Sequence, residues 1–273
     1  MRAGAPTLEP AALIEPVIAI IGRAGEAILE VYGQSDVGAE LKDDDSPLTR
    51  ADLAAHRIIV AALASLTPGI PVLSEEAAGI PVAERRRWTT YWLVDPLDGT
   101  REFLKRNGEF TVNVALIAGH APVLGVVGVP VRGQVYAGMP GLGAWRIDGG
   151  AARQPIATRR PAANPTRVVG SRSHRGASLD AYLARLGPHE LVPVGSALKF
   201  CLVAEGGADV YPRLGPTSEW DTAAAQAVLV AAGGAVVTHD GAALRYNAKD
   251  ELLNPDFIAF GDSSRDWLAP LRD

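Results

Sequence analysis

The chain has 273 residues. That exceeds one average domain of about 100–200 residues and falls short of two large ones, so one body or two halves sharing an interface is expected. Apolar residues make up 48% and charged residues 21%, a globular balance that excludes a disordered or fibrous chain. Thirty-one acids against 26 bases leave a net charge of −5, so no overall positive field draws nucleic acid or an anionic membrane. An anionic ligand must be held by local groups or by metal ions. The single cysteine, Cys201, excludes an internal disulfide framework and suits a reducing compartment.

Ala11–Tyr32 reads as a helix ended by Gly33 in the C′ position. Glu15 and Pro16 interrupt its apolar start, only Arg2 precedes it and no cleavage site follows, so it does not read as a signal peptide. Ser35–Pro47 is a polar loop with the acidic triplet Asp43–Asp45, which either closes over a site or is simply polar. A second helix is predicted from Arg50 to Leu66, stopped before Pro68–Gly69. Short strands follow at Ile70–Leu73, Tyr91–Val94, Thr111–Ile117, Val123–Val129 and Gln134–Ala137, with Gly and Pro in the turns. They suggest a mostly antiparallel sheet laid on helices.

The weakly patterned zone Gly141–Pro165 is the expected boundary, dividing the chain into 1–158 and 159–273. Beyond it strands (Arg167–Gly170, Leu191–Val194, Asp209–Pro212) alternate with helices (Leu179–Leu186, Ala197–Glu205, Thr222–Ala232). Strands Ala235–Thr238 and Phe257–Gly261 complete a smaller α/β half. The apolar run Thr222–Thr238 is broken by Gly233–Gly234 and too short to span a bilayer comfortably. A soluble intracellular protein is expected.

The most informative segment is Trp92–Thr100. A buried strand ends in Asp95, Pro96 fixes a turn, and Asp98 returns to the same mouth. Two carboxylates this close repel unless protonated or bridged, and hard divalent ions prefer such oxygens. Gly99-Thr100 opens a helical turn whose free N–H groups suit a phosphate. Taken alone, Asp95 and Asp98 fit a turn and Thr100 an N-cap equally well. Glu75-Glu76 follows another strand end but also fits a solvated turn. Asp221 precedes an apolar helix and fits an N-cap. Thr49-Arg50-Ala51-Asp52 has capping-box spacing, with Asp in place of Glu or Gln. Arg85-Arg86-Arg87 reads as a solvated face, Cys201 as an inert buried thiol, and His56, His120, His189 and His239 show no ligand spacing.

Together, Asp95-Pro96-Leu97-Asp98-Gly99-Thr100, the upstream Glu75-Glu76 and the downstream Trp220-Asp221 resemble the inositol monophosphatase superfamily of magnesium-dependent, lithium-sensitive phosphatases. The resemblance runs from Ala11 to Gly261 and implies an α+β fold, a layered αβαβα sandwich. Within the superfamily the chain is similar to the bacterial 3'(2'),5'-bisphosphate nucleotidases. That likeness lies in Asp98–Phe103, Asn107–Asn113, Ser171–His174, Gly195–Glu205, Tyr211–Arg213 and Glu219–Ala224. Inositol phosphatases usually carry Thr-Asn-Phe where this chain has Arg101-Glu102-Phe103, and an acid where it has Arg213. The cation fits a second phosphate better than a polyol.

The resemblance implies one magnesium on Glu75, Asp95 and the Leu97 carbonyl, and a second shared by Asp95, Asp98 and Asp221, with a third ion left open. It makes Asp52 and Thr100 the pair that deprotonates the attacking water, a role compatible with capping. Gly99 and Thr100 would hold phosphoryl oxygens through their N–H groups. Ser171, His174, Gly195, Lys199 and Arg213 would contact the nucleotide, while Ser171–Arg175 as a solvated basic turn and Lys199 as a surface charge are the plainer readings. The implied reaction is hydrolysis of the 3'-phosphate of adenosine 3',5'-bisphosphate to AMP, with its 5'-phosphosulfate analogue as a second substrate, in the recycling of a by-product of sulfate assimilation. An inositol or sugar-phosphate monophosphatase of relaxed specificity is the alternative. A non-catalytic nucleotide sensor is a third reading, disfavoured because Asp52, Glu75, Asp95, Asp98, Thr100 and Asp221 are all present. A cytoplasmic monomer or homodimer is implied, and a peripheral contact with the inner face of a membrane would leave no mark in this composition.

Overall fold

The computed structural model describes residues 9–41, 47–171 and 176–272; Asp43–Asp45 and His174 lie outside them. A 3-10 turn (Pro10–Leu13) leads into α1 (Ile14–Tyr32). Val17, Ile20, Ile21, Ala24 and Ile28 recur at helical spacing and are buried. Gly33 is the C-cap itself and not the C′ residue. At φ −71° it keeps a right-handed backbone and donates its N–H to the Leu29 carbonyl.

A two-stranded ribbon, β1 (Glu40–Leu41) and β2 (Pro47–Leu48), precedes α2 (Arg50–Leu66). The chain continues through β3 (Val72–Ser74), α3 (Val82–Arg85), β4 (Thr90–Asp98), α4 (Thr100–Leu104), β5 (Thr111–Ala118), β6 (Ala121–Val129) and β7 (Gln134–Met139). The weakly patterned zone then forms two further strands, β8 (Gly143–Asp148) and β9 (Gln154–Ile156). They lie at the edge of the sheet and most of their residues are only partly covered, so no apolar alternation marks them. Strands β3 to β9 make one sheet in sequential order, antiparallel except for the β3–β4 pair.

The second sheet comprises β10 (Thr166–Ser171), β11 (His189–Val194), β12 (Val210–Arg213), β13 (Ala235–Thr238) and β14 (Phe257–Phe260), in the order β11-β10-β12-β14-β13. Interleaved with them are α5 (Ala177–Leu186), α6 (Leu198–Ala204) and α7 (Ala223–Ala231). Strands β10, β11 and β12 run parallel, so their C-terminal residues Ser171, Val194 and Arg213 lie at one end of the sheet. Ligands of α/β sheets bind at such ends.

Side-chain alternation sets the layers. On β4, Trp92 and Val94 pack with α1 and α2, while Tyr91 and Leu93 pack with α6 and α7. On the second sheet, Val169, Tyr211 and Phe257 turn toward α6 and α7, while Val168, Val210 and Ile258 face α5. The result is the expected αβαβα sandwich, with α6 and α7 buried between two sheets. Its middle position explains why α7 is apolar almost all round.

Arg85 does not belong to a solvated face. It is 2% exposed and donates to Asn247 Oδ1 at 2.5 Å and to the carbonyls of Lys249 and Asp250.

Helix α7 lies directly on backbone. A Cβ on Gly125 would stand 2.1 Å from the Ala224 carbonyl, and one on Gly138 2.5 Å from Val228 Cα. Gly125→Ala should therefore cost about 1–3 kcal/mol of stability, the range for overpacking. Gly22→Ala, whose methyl would meet nothing within 4 Å, is the control and should be neutral or stabilising. Denaturant midpoints measure both, and equal midpoints would mean that α7 lifts off the sheet freely.

Candidate functional site

Asp95 and Asp98 are three residues apart, a spacing that points side chains to opposite faces of a regular strand. Asp95 pairs with Asn113 but Asp98 pairs with Thr111, so three steps on β4 answer two on β5. This bulge, and not a turn after Asp95, brings both carboxylates to one mouth. The expected turn at Pro96 is thus part of a strand that runs on to Asp98. Asp95 Oδ1 accepts from the Leu97 N–H at 3.0 Å. Asp98 Oδ2 accepts from the Ala197 N–H at 2.6 Å, Thr111 Oγ1 at 3.3 Å and Asn113 Nδ2 at 3.4 Å.

Asp221 reaches the same place from just before α7. It does not cap that helix: Thr222 is the N-cap, and Asp221 Oδ2 accepts from the Ser218 N–H at 2.9 Å. Among the described residues, one oxygen from each of Asp95, Asp98 and Asp221 lies within 4.8 Å of the others. Glu75, in the 3-10 turn after β3, lines the same cavity and hydrogen-bonds Asp95.

Burial pushes Asp95 and Asp221 well above the usual carboxylate range. Repulsion adds to it, from Glu75, Asp98 and Asp221 on Asp95 and from Asp98 and Glu75 on Asp221. Asp98 is also raised by burial, but the Lys199 ammonium and its three hydrogen bonds oppose the shift. Carboxyls that can hydrogen-bond each other only by sharing a proton fit a multivalent cation, whose charge would replace that proton. Glu75, Asp95, Asp98, Asp221 and the Leu97 carbonyl could hold it.

Asp52 has both of its anticipated contacts. Its Oδ2 accepts from Thr49 N at 2.8 Å and Thr49 Oγ1 at 2.5 Å, closing the capping box of α2. Its Oδ1 accepts from Thr100 Oγ1 at 3.3 Å. Burial raises the Asp52 pKa to about 6, partly opposed by the Thr49 bonds. Thr100 opens α4 behind Gly99, whose φ of 91° favours glycine and where a Cβ would crowd Glu109 and Ser196.

Lys199 is no surface charge. It is 6% exposed, and its Nζ donates to the Ser196 carbonyl at 2.6 Å and to Val194 O at 3.5 Å. Burial lowers its pKa to about 8, while Asp98 opposes the shift. Lys199, Ser171, Gly195 and Arg213 line the 280 Å³ cavity that also holds the acidic cluster, Gly99 and Thr100. Arg213 donates to the Pro216 carbonyl. The structure thus gathers the predicted site residues on one cavity, except Asp52, which is buried behind Thr100, and His174, which lies outside the described residues.

Sequence reasoning assigned no role to Ser196, Arg101 or Tyr211, which line the same wall. Ser196 adopts φ 48°, a backbone state that no motif announced.

The family model "Inositol monophosphatase family" matches residues 9–267. The chain is 51% identical over 247 residues to the 3'(2'),5'-bisphosphate nucleotidase CysQ of Salmonella typhimurium, covering 90% of this chain and 98% of that protein. The Escherichia coli K12 protein of the same name is 50% identical over equal shares. The crystal structure of CysQ from Bacteroides thetaiotaomicron superposes with a TM-score of 0.80 at 44% identity, covering 93% of this chain and 98% of that one. An inositol monophosphatase from Anabaena, 23% identical with a TM-score of 0.76 and 96% coverage of both chains, shares the fold. The chain belongs to the inositol monophosphatase family.

Proposed function

We propose that this protein is a magnesium-dependent 3'(2'),5'-bisphosphate nucleotidase that hydrolyses the 3'-phosphate of adenosine 3',5'-bisphosphate, with 3'-phosphoadenosine 5'-phosphosulfate as a second substrate. One observation carries the choice over an inositol phosphatase. The acidic cavity adjoins a second one of 330 Å³, and the two share Ser171, Tyr211 and Arg213. Leu179, Pro212, Leu214 and Pro216 give the second cavity apolar walls that suit a nucleoside, and Arg213 stands at the border where a second phosphate needs a cation. The two relatives at about 50% identity bear the nucleotidase name. No described helix is long and apolar enough to cross a membrane, and a cytoplasmic place suits the single, buried Cys201.

Two magnesium ions, with a third left open, would supply the lowered pKa of the attacking water and the neutralisation of charge on the leaving oxygen. The chain's own groups do the rest. Thr100 Oγ1 accepts a proton from the water as it passes its own to Asp52 Oδ1. The water oxygen bonds to phosphorus, the bond to the 3'-oxygen breaks, and that oxygen leaves and takes a proton from solvent water. Gly99 and Thr100 N–H groups hold the phosphoryl oxygens. Lys199 and Arg213 orient the remaining charge of the nucleotide.

Asp52 must be ionised to accept the proton. With its pKa raised to about 6, the rate should fall as pH drops through 6, and bound cations place the observed midpoint at or below that value. Asp52→Asn should remove the limb along with most of kcat, and a limb that survives in the variant's residual activity would exclude Asp52 as its source.

The raised carboxyl groups of the cluster must lose protons to bind a cation. Without metal they favour the folded state at acid pH, and that contribution is lost as pH rises through their folded pKa values. A fixed magnesium concentration should therefore raise Tm more at pH 8 than at pH 5.5; where it reaches a hundred times Kd, the increment is equivalent to about 2.7 kcal/mol. Asp95→Asn should abolish the increment; an undiminished one would locate the metal elsewhere.

Initial phosphate release tests the substrate. We expect kcat/KM for adenosine 3',5'-bisphosphate to exceed that for inositol 1-phosphate about a hundredfold, near 3 kcal/mol in transition-state binding. Comparable rates would leave a general phosphomonoesterase, and nucleotide binding with no phosphate release would leave a sensor.

A further inference from the structure

The turn Val194–Ala197 forms part of the wall of the acidic cavity. Gly195 and Ser196 line the cavity, the Ala197 N–H meets Asp98, and the carbonyls of Val194 and Ser196 accept from Lys199 Nζ. The turn belongs to the second sheet, yet two of its N–H groups donate to carboxylates from the first-sheet half. One is Ala197 to Asp98; the other is Gly195 to Glu109 Oε2, at 2.9 Å.

Glu109 is set up for this contact. It follows Gly108 (φ 74°), and its own N–H donates to Asn107 Oδ1 at 3.0 Å, a local turn that fixes the residue. A Cβ on Gly195 would stand 2.9 Å from the Glu109 carbonyl and 2.7 Å from Glu102 Cγ, and a Cβ on Gly99 would stand 3.3 Å from the same Glu109 carbonyl. The two cavity glycines therefore flank one residue, and side chains at either would push Glu109 off its contact. Ser196, next in the turn, holds φ 48°, a conformation that non-glycine residues keep only when neighbours enforce it.

We propose that Glu109 is a positioning residue for substrate binding: its carboxylate fixes the Val194–Ala197 turn against Gly99, so that Lys199 and Ser196 keep their places in the cavity wall. The proposal rests on the nucleotidase reading for the identity of the substrate and on geometry for the role. A charge-assisted hydrogen bond to a backbone N–H is among the stronger kinds, and its loss should be felt where the turn meets ligand.

The test compares Glu109→Ala, Glu109→Gln and Asn107→Ala in the full-length enzyme with magnesium. Glu109→Ala should raise KM about tenfold with kcat changed by less than about threefold, the signature of lost binding with the chemistry left intact. Glu109→Gln retains an acceptor oxygen and should stay within about twofold of wild type in KM, with Asn107→Ala between the two. Asn107 is exposed, so its variant keeps the test open if Glu109→Ala does not fold. A residue that merely supports the fold would lower Tm and active fraction, with kcat falling at constant KM in Glu109→Ala. That outcome, or equal impairment in Glu109→Gln and Glu109→Ala, would overturn the proposal. Wild type is assayed first on adenosine 3',5'-bisphosphate and inositol 1-phosphate. A preference for the inositol ester would sink the nucleotidase reading alone, and the KM comparison would proceed on that ester, since the turn lines the shared cavity.

Discussion

One buried and two partly buried aspartates crowded at one mouth, with Glu75 hydrogen-bonded to Asp95, set the problem that the rest of the structure answers. Carboxylates so placed repel one another, and burial makes each charge costlier still. The chain satisfies one oxygen of each with its own donors: Leu97 N–H for Asp95, Ala197 N–H for Asp98 and Ser218 N–H for Asp221. Those bonds fix where each carboxylate stands without discharging it. The cluster is therefore rigid and still short of positive charge, the condition in which a divalent cation binds with little reorganisation.

The same mouth cannot be built by either sheet alone. Asp95 and Asp98 come from the first sheet, Asp221 from the segment before α7, and Lys199 from α6. Their mutual distances depend on how closely α7 lies against the first sheet. Gly125 and Gly138 allow helix backbone to touch strand backbone there, so a core contact just beyond Asp221 helps set the spacing of the acids. Stability and site geometry share this interface. A mutation that lifts α7 by a fraction of an ångström should register in both.

Much of this was legible in the sequence. Helix α2 (Arg50–Leu66) and β13 (Ala235–Thr238) have the predicted limits, because capping chemistry and uniform apolar runs mark them. The layered fold and the acidic set were legible through motif order. Long-range features were not. The bulge between Asp95 and Asp98 exists only against β5, and one strand's sequence cannot announce a register shift. Arg85 looked solvated because its partners Asn247, Lys249 and Asp250 lie more than 160 positions away. Strands β8 and β9 were missed because half-covered strands, β9 at the sheet edge and β8 beside it, carry little apolar alternation.

Asp52 shows why local and functional readings of one residue need not compete. A carboxylate has two oxygens. Oδ2 is committed to Thr49, whose bonds hold the first turn of α2 and partly oppose the upward pull of burial on the pKa. Oδ1 is left to Thr100, whose hydroxyl donates to it at 3.3 Å. Remove the cap and burial alone would drive the pKa higher, keeping the group protonated at neutral pH and useless as a base. Remove the burial and it would fall toward the ordinary range, where proton acceptance has little driving force. On the proposed reading the capping box is part of the chemistry: it orients Asp52 toward Thr100 and holds it near the pH at which a general base works.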